Sequence, residues 1–198
     1  LEPDFKRPRI IHELVPLVAA ESSSMTRSDN IKAQVLKAVP RIRPGTAHLS
    51  SNNPEAGRQQ AINAWLEIIK LDLHESTVGR QILDILSRNH SKQDETRLVL
   101  ETVELSVRNK SANTLIQRAA ALAQYFSWAK PEGVQLLPFR EQFSFEYVRS
   151  DIMKTRGATN ATRFVEALNL AGGAFGFDGA FASATSSRVK GAAIDKHL

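Results

Sequence analysis

The chain has no cysteine, and it has only two tyrosines, two tryptophans and five histidines among its 198 residues. Without cysteine it forms no disulfides, has no thiol nucleophile and builds no cysteine-ligated zinc site, a composition that fits a reducing compartment. The histidines are scattered, and none forms an H-x-x-x-H or H-E-x-x-H pair with the spacing of metal ligands: His12, His48, His74, His90 and His197. We therefore predict no metal and no other cofactor.

Long apolar runs are also missing from the sequence. No stretch of about 18 apolar residues is present, so we expect no transmembrane helix and no membrane partner, and no segment has the features of a signal peptide. The apolar fraction is nevertheless 42%, which is enough for a folded core. The chain begins with Leu rather than Met, which indicates a processed protein or a piece of a longer one. We expect an intracellular location, nuclear if the source is a eukaryote.

Recognisable catalytic signatures are absent. The sequence has no G-x-S-x-G motif and no pair of carboxylates that spacing singles out. The glycine-rich run at 172–179 superficially resembles a phosphate-binding loop, but a helix precedes it and no Lys-Ser or Lys-Thr follows. We interpret it as a flexible helix terminus whose Phe175, Phe177 and Phe181 pack back on the rest of the domain. No enzymatic activity is predicted for this chain.

The spacing of apolar residues predicts an all-α fold, an irregular bundle of about six helices over residues 58–191. The helices are expected from about Pro54 to near Leu73, from Ser76 or Thr77 to near Asn89, from Lys92 to Val107, from Ser111 to Pro131, through Phe145, Val148 and Ile152 to Gly157, and from Thr159 or Asn160 to Gly176. Residues 1–57 contain six of the eight prolines and are predicted to be a loosely structured arm. Residues 192–198 are predicted to begin a linker or tail.

The fourth predicted helix has the clearest pattern in the chain. Its apolar face repeats at i, i+4, i+7, i+11 and i+14 from Leu115 to Ala129. Ser111 is placed to cap its first turn, and Lys110 precedes the cap, where a helix terminus attracts phosphate. Arg118 and Tyr125 lie seven residues apart and share a face. The planar guanidinium of Arg118 suits phosphate or a base edge, with a salt bridge as the open alternative.

These residues resemble the core-binding, SAM-like domain of tyrosine recombinases, the phage-integrase family. The match to the entry helix of that domain is made by Ser111, Thr114, Tyr125, Phe126 and Trp128. The segment 159–176, with Phe164, Ala167 and Leu168, is similar to its last helix, and 187–191 looks like the start of the linker to a catalytic domain. The resemblance covers about residues 76–191.

That resemblance implies a helical domain that grips duplex DNA while a separate catalytic domain cuts it. The family nucleophile is a tyrosine in the catalytic domain, and Tyr125 and Tyr147 match no nucleophile motif. We therefore interpret Tyr125 as a packing residue. The chain is expected to hold DNA without cutting or rejoining it. Expected partners are double-stranded DNA and, in addition, a catalytic recombinase domain or other protomers.

Basic residues exceed acidic ones by 26 to 21, and the excess is uneven. Residues 58–110 are balanced at eight of each, whereas residues 111–198 contain ten basic and seven acidic side chains. A polyanion prefers the second part. We predict phosphate contacts from eight cations there or at its border: Lys110, Arg118, Arg149, Lys154, Arg156, Arg163, Arg188 and Lys190.

A helical protein-interaction or scaffold module with incidental basic charge is the alternative. In that case the stripe of Trp65, Ile68 and Ile69 would face a partner. DNA binding predicts one contiguous positive face on the fourth, fifth and sixth helices. A scaffold predicts dispersed charges and an exposed apolar groove.

Overall fold

A computed structural model describes residues 54–155 and 159–195, which form nine α-helices and no β-strand. The helices are α1 (Pro54–Ile69), α2 (Thr77–Ser87), α3 (Lys92–Ser106), α4 (Ala112–Ala129), α5 (Glu141–Arg149), α6 (Asp151–Thr155), α7 (Thr159–Phe175), α8 (Ala180–Thr185) and α9 (Ser187–Ile194). A short 3-10 helix, Leu73–Glu75, precedes α2. The predicted all-α class is confirmed. The arm predicted at 1–57 lies outside the described residues, except for its last four, which begin α1.

Serine caps determine where α2, α3 and α4 begin. In each case the serine hydroxyl accepts a hydrogen bond of 2.9 to 3.2 Å from the backbone amide three residues later: Ser76, Ser91 and Ser111. Such a cap typically stabilises a helix by about 1 kcal/mol because it satisfies an amide that has no partner in the first turn. These three helices therefore start where the sequence predicts.

The described residues form nine helices, more than the six predicted, and the additional ones lie in the C-terminal part. The predicted fifth helix is divided into α5 and α6, which meet at Ser150, whose hydroxyl donates to the Tyr147 carbonyl at 2.7 Å. Ile152, predicted to lie on the fifth helix, lies in the first turn of α6 and is 42% exposed. The helices α8 and α9 are only six and eight residues long, and such lengths contain too little of the 3.6-residue period to be recognised.

The run 187–191 is part of the bundle, so its interpretation as the start of a linker is wrong. It forms the first half of α9, which packs against α5 and α7. Val189 and Ala193 are buried in the core. An interdomain linker would instead leave these apolar side chains in solvent.

The glycine-rich run at 172–179 is also better ordered than predicted, because α7 continues through it to Phe175. Phe175 and Phe177 are buried, as expected. Phe181 is 58% exposed, so the expectation that it packs back on the bundle is wrong. At Gly172 the backbone of Phe181 passes so closely that an added Cβ would lie 2.7 Å from its nitrogen. The glycine therefore allows α8 to pack on α7.

The centre of the molecule is the packing of α4 between α1 and α7. The Trp65 ring of α1 stacks on Phe175 of α7 with centroids 4.5 Å apart, and its indole N–H donates to the Leu115 carbonyl of α4 at 3.0 Å. Trp65, Ile68 and Ile69 are fully buried, so this stripe is core and does not face a partner.

A second aromatic cluster connects α4 to the C-terminal helices. The Tyr125 ring of α4 lies 5.3 Å from both Tyr147 of α5 and Phe164 of α7. Phe126 is fully buried, and Trp128 is partly buried against the same core, as predicted for packing residues. These contacts hold α4, α5 and α7 in fixed relative positions. The grooves between neighbouring helices are therefore preformed.

Candidate functional site

The described bundle divides the predicted contact residues among separate surfaces. Three of them line a cleft of about 540 Å³ between α5, α6 and α9: Arg149, Lys154 and Arg188. Two line a groove of about 490 Å³ between α4 and α7: Lys110 and Arg118. Arg163 lines a smaller groove of about 170 Å³, and Lys190 is exposed on α9. Arg156 lies outside the described residues.

The first of these surfaces is built around one aromatic ring, that of Phe145. We call it the basic cleft and define it by Phe145, Arg149, Lys154, Arg188 and Gly191. The guanidinium carbon of Arg188 lies 3.9 Å from the centroid of Phe145, and that of Arg149 lies 5.4 Å from it. Both distances are within the range of cation–π attraction. The ring therefore brings two positive charges to one place, from helices separated by about 40 residues of sequence.

Neither guanidinium of the basic cleft forms an ion pair with any residue that the structure describes. Lys154 contacts the Asp151 carboxylate at 2.6 Å, and this hydrogen bond lowers the pKa of Asp151. Asp195 is the one acidic side chain that lines the cleft itself. An aromatic ring attracts the face of a guanidinium but leaves its N–H edge unsatisfied. The cleft can therefore accept an anion.

One wall of the cleft is formed by α9, which a hydrogen bond holds against α5 and which has no side chain at Gly191. Ser186 accepts a hydrogen bond from the Val189 amide at 3.3 Å and donates one to the Glu141 carboxylate of α5 at 2.7 Å. At Gly191 an added Cβ would meet no heavy atom within 4 Å, so no packing contact requires glycine there. A bare helix surface allows the backbone to come close to a ligand.

The groove between α4 and α7 differs from the basic cleft in its charges. We call it the polar groove and define it by Asn109, Lys110, Arg118, Glu166 and Gly173. Arg118 forms an ion pair with Glu166, and its side chain is only 18% exposed. The sequence left a salt bridge as the alternative role for Arg118, and the structure shows that salt bridge. Lys110 is exposed at the rim of the groove. With Glu166 present, this groove offers less positive charge to a polyanion than the basic cleft does.

The basic excess of the chain lies outside the described residues. Those residues contain 16 Lys and Arg and 16 Asp and Glu, so the formal charge of +5 arises from residues 1–53, Arg156 and Lys196. Long-range attraction of a polyanion would thus come from these segments. The described bundle can contribute only local concentrations of charge, and the basic cleft contains three of the predicted cations where the other two grooves contain two and one.

The described part of the chain contains no group of three His, Asp or Glu side chains placed to hold a metal ion. None of its helices has the length and apolarity needed to cross a membrane. Tyr125 is fully buried, and burial, with smaller contributions from Glu146 and Tyr147, raises the pKa of its hydroxyl. Its placement fits packing.

Phe145 is the residue of the basic cleft that the sequence does not reveal. Its apolar character predicts a core position, yet its ring supports both cleft arginines. The i, i+4 spacing from Phe145 to Arg149 was an available signal for a side-chain pair on one helix face. No such signal connects Phe145 to Arg188 or Arg118 to Glu166, because these pairs join different helices.

The resemblance noted above receives no support from overall similarity. Comparison with protein-family models, curated proteins and solved structures finds no match to this chain. The link to tyrosine recombinases therefore depends on the motif residues alone, and the chain is not assigned to a family.

Proposed function

We propose that this chain binds double-stranded DNA through the basic cleft, as a DNA-binding domain that does not itself catalyse a reaction. The observation that carries the proposal is the pair of guanidinium groups on Phe145, which have no carboxylate partner among the described residues. Arginine suits this role because its planar fork binds phosphate oxygens through parallel hydrogen bonds. The motif resemblance to a core-binding domain points to the same ligand.

Phosphate contacts supply most of the affinity in this proposal. Arg149, Arg188 and Lys154 act from the cleft, and Lys190 acts from the exposed side of α9. Each phosphate neutralised releases condensed counterions, which gives a slope of about −0.9 per contact in a plot of log affinity against log salt. Four contacts predict a slope of about −3 to −4. Such contacts fix the position of the protein on DNA and carry no base information.

The test is a fluorescence-anisotropy titration of a labelled duplex with the full chain. The double variant Arg149→Gln/Arg188→Gln removes both cleft arginines. The control, Arg88→Gln/Arg97→Gln, removes the same charge from two exposed arginines of the α2–α3 region. We expect the cleft variant to bind about 10- to 100-fold more weakly, with a slope less steep by about 2, and the control to lose less than about threefold.

Two results would overturn the proposal. One is the absence of binding to any duplex at about 50 mM salt, where phosphate contacts are strong. The other is an equal loss in the cleft and control variants, which would show that only total charge matters. Thermal unfolding of both variants verifies that they are folded.

A protein-interaction module is the second candidate. The balanced charge of the described bundle favours it, and so does the division of the predicted cations among separate grooves instead of one contiguous face. Large apolar side chains are also exposed in that part of the chain, with Leu105 at 60% and Phe181 at 58%. The same titration separates the two functions, since a scaffold would not distinguish the cleft arginines from the control arginines.

A further inference from the structure

The polar groove between α4 and α7 has features that stability alone does not require. Its volume is about 490 Å³, within the range of about 300 to 1,000 Å³ typical of small-molecule sites. The groove is open to solvent, and polar side chains line it together with Leu170 and Ala174.

One end of the groove is held rigidly by Arg58. Its guanidinium donates to both oxygens of Glu104 at 2.7 to 3.1 Å, to the Val107 carbonyl at 3.0 Å, and to the Lys110 carbonyl. These bonds fix the turn between α3 and α4, which carries Asn109 and Lys110 into the groove. The binding groups are therefore preorganised, which lowers the entropic cost of holding a ligand.

The groove is also lined by a charged pair. Arg118 and Glu166 join α4 to α7, with side-chain exposures of 18% and 45%. A solvent-accessible ion pair typically contributes only about 0 to 1 kcal/mol to stability, so the pair is weak evidence for a structural role. It does give the groove a guanidinium that can take a second acceptor, since arginine has five N–H donors.

Gly173 borders the groove at an exposed position. It lies in α7, and an added Cβ would meet no heavy atom within 4 Å. A glycine in a helix interior costs about 1 kcal/mol relative to alanine, and here no neighbour or positive φ requires it. Its neighbour Gly172 has such a requirement, because the Phe181 backbone packs against it. The backbone at Gly173 is therefore accessible from the groove, and a large side chain there would occupy the space available to a ligand.

We propose that the polar groove binds a small organic carboxylate that carries hydroxyl or amide groups. Lys110, Arg118 and Glu166 together give a formal charge of +1, which matches a monoanion, while Glu166 repels more highly charged phosphates. The side-chain amides of Asn109 and Asn169 make no hydrogen bond with the described residues and can contact the polar substituents. This site is independent of DNA binding in the basic cleft.

The test is a titration followed by amide proton–nitrogen correlation spectra of the full chain. The probes are lactate, glycolate and N-acetylglycine, with glycerol and inorganic phosphate as comparators. We expect at least one carboxylate to shift the Gly173 and Thr114 amide signals saturably, with a Kd of about 10 mM or tighter. Arg118→Gln should weaken this binding about tenfold, and Gly173→Leu, which fills the groove, should abolish it.

Gly191→Leu is the matched control, since it fills the basic cleft at an equally open helix position. It should leave carboxylate binding unchanged, and Gly173→Leu should leave duplex affinity unchanged. The proposal is overturned if no carboxylate gives saturable shifts up to about 50 mM. It is equally overturned if binding persists in Gly173→Leu, or if inorganic phosphate binds as tightly as the best carboxylate.

Discussion

The polar groove and the basic cleft both bring arginines to a gap between helices, but their charges are satisfied differently. In the polar groove, Arg118 is paired with the carboxylate of Glu166. In the basic cleft, Arg149 and Arg188 are held by the ring of Phe145. A carboxylate compensates the charge of a guanidinium, whereas an aromatic ring attracts it without neutralising it. The cleft therefore suits a polyanion and the groove a monoanion.

This difference shows that the partner of each cation matters more than the number of cations. The described bundle has equal numbers of basic and acidic residues, so its average charge predicts no affinity for DNA. Arg149 and Arg188 nevertheless make the basic cleft locally positive, because neither has a carboxylate partner among the described residues. Local pairing is thus the property to test by mutation.

The largest expected effect concerns three helical glycines, of which Gly173 borders the polar groove and Gly191 the basic cleft. Gly172→Ala should lower the free energy of unfolding by about 2 to 3 kcal/mol, because its Cβ would lie 2.7 Å from the Phe181 nitrogen and 3.0 Å from its Cα. Gly173→Ala and Gly191→Ala should each raise it by about 0.5 to 1 kcal/mol through helix propensity. Urea denaturation of the three variants measures these differences.

Gly172 and Gly173 are neighbours in the same helix, but only Gly172 contacts another part of the chain. The two alanine variants therefore differ mainly in whether the added Cβ collides with a neighbour. Destabilisation by Gly173→Ala would show that the polar groove is closed in solution. Destabilisation by Gly191→Ala would show the same for the basic cleft.

The sequence predicted those parts of the fold that depend on local signals. Ser76, Ser91 and Ser111 each precede an apolar period of 3.6 residues, so α2, α3 and α4 were recognisable from neighbouring residues alone. The helices α8 and α9 were not, since each has only one or two turns and is positioned by contacts with α5 and α7. Tertiary packing determines such elements.

The candidate site was predictable only as a group of cations. Arginine and lysine on helices indicated anion binding, but whether each cation is paired depends on another helix. Arg118 meets Glu166 across 48 residues of sequence, and Arg188 meets Phe145 across 43. Spacing within one helix contains no information on either pair.

An intermediate effect concerns Tyr125, which contacts α5 and α7 and so lies between the two surfaces. Its hydroxyl is buried and has no hydrogen-bond partner among the described residues. Tyr125→Phe removes this polar group without changing the ring, so we expect the free energy of unfolding at pH 7 to rise by about 1 kcal/mol. Binding in the groove and in the cleft should both stay unchanged.

The same variant has a defined pH dependence. Burial raises the pKa of Tyr125 above its ordinary value of 10.0, so the unfolded chain loses this proton at a lower pH than the folded chain. Above about pH 10 the unfolded state binds fewer protons, and stability must fall as pH rises. Tyr125→Phe should reduce that fall, as measured by chemical denaturation between neutral and alkaline pH. An identical alkaline loss in both proteins would contradict the buried position of this hydroxyl.

The smallest expected effect tests whether the ion pair between Lys154 and Asp151 weakens DNA binding by the basic cleft. Asp151→Asn removes the carboxylate that contacts Lys154 at 2.6 Å, and the freed ammonium should tighten duplex binding about twofold. Asp94→Asn is the matched control, because Asp94 also lies in the first turn of a helix and pairs with a cation three residues later, Arg97 of α3. Anisotropy titrations at low salt should show the gain only for Asp151→Asn, and the gain should shrink as salt screens the exposed charge. Equal gains in both variants would mean that total charge, and not the pairing of cations in the cleft, governs the affinity for DNA.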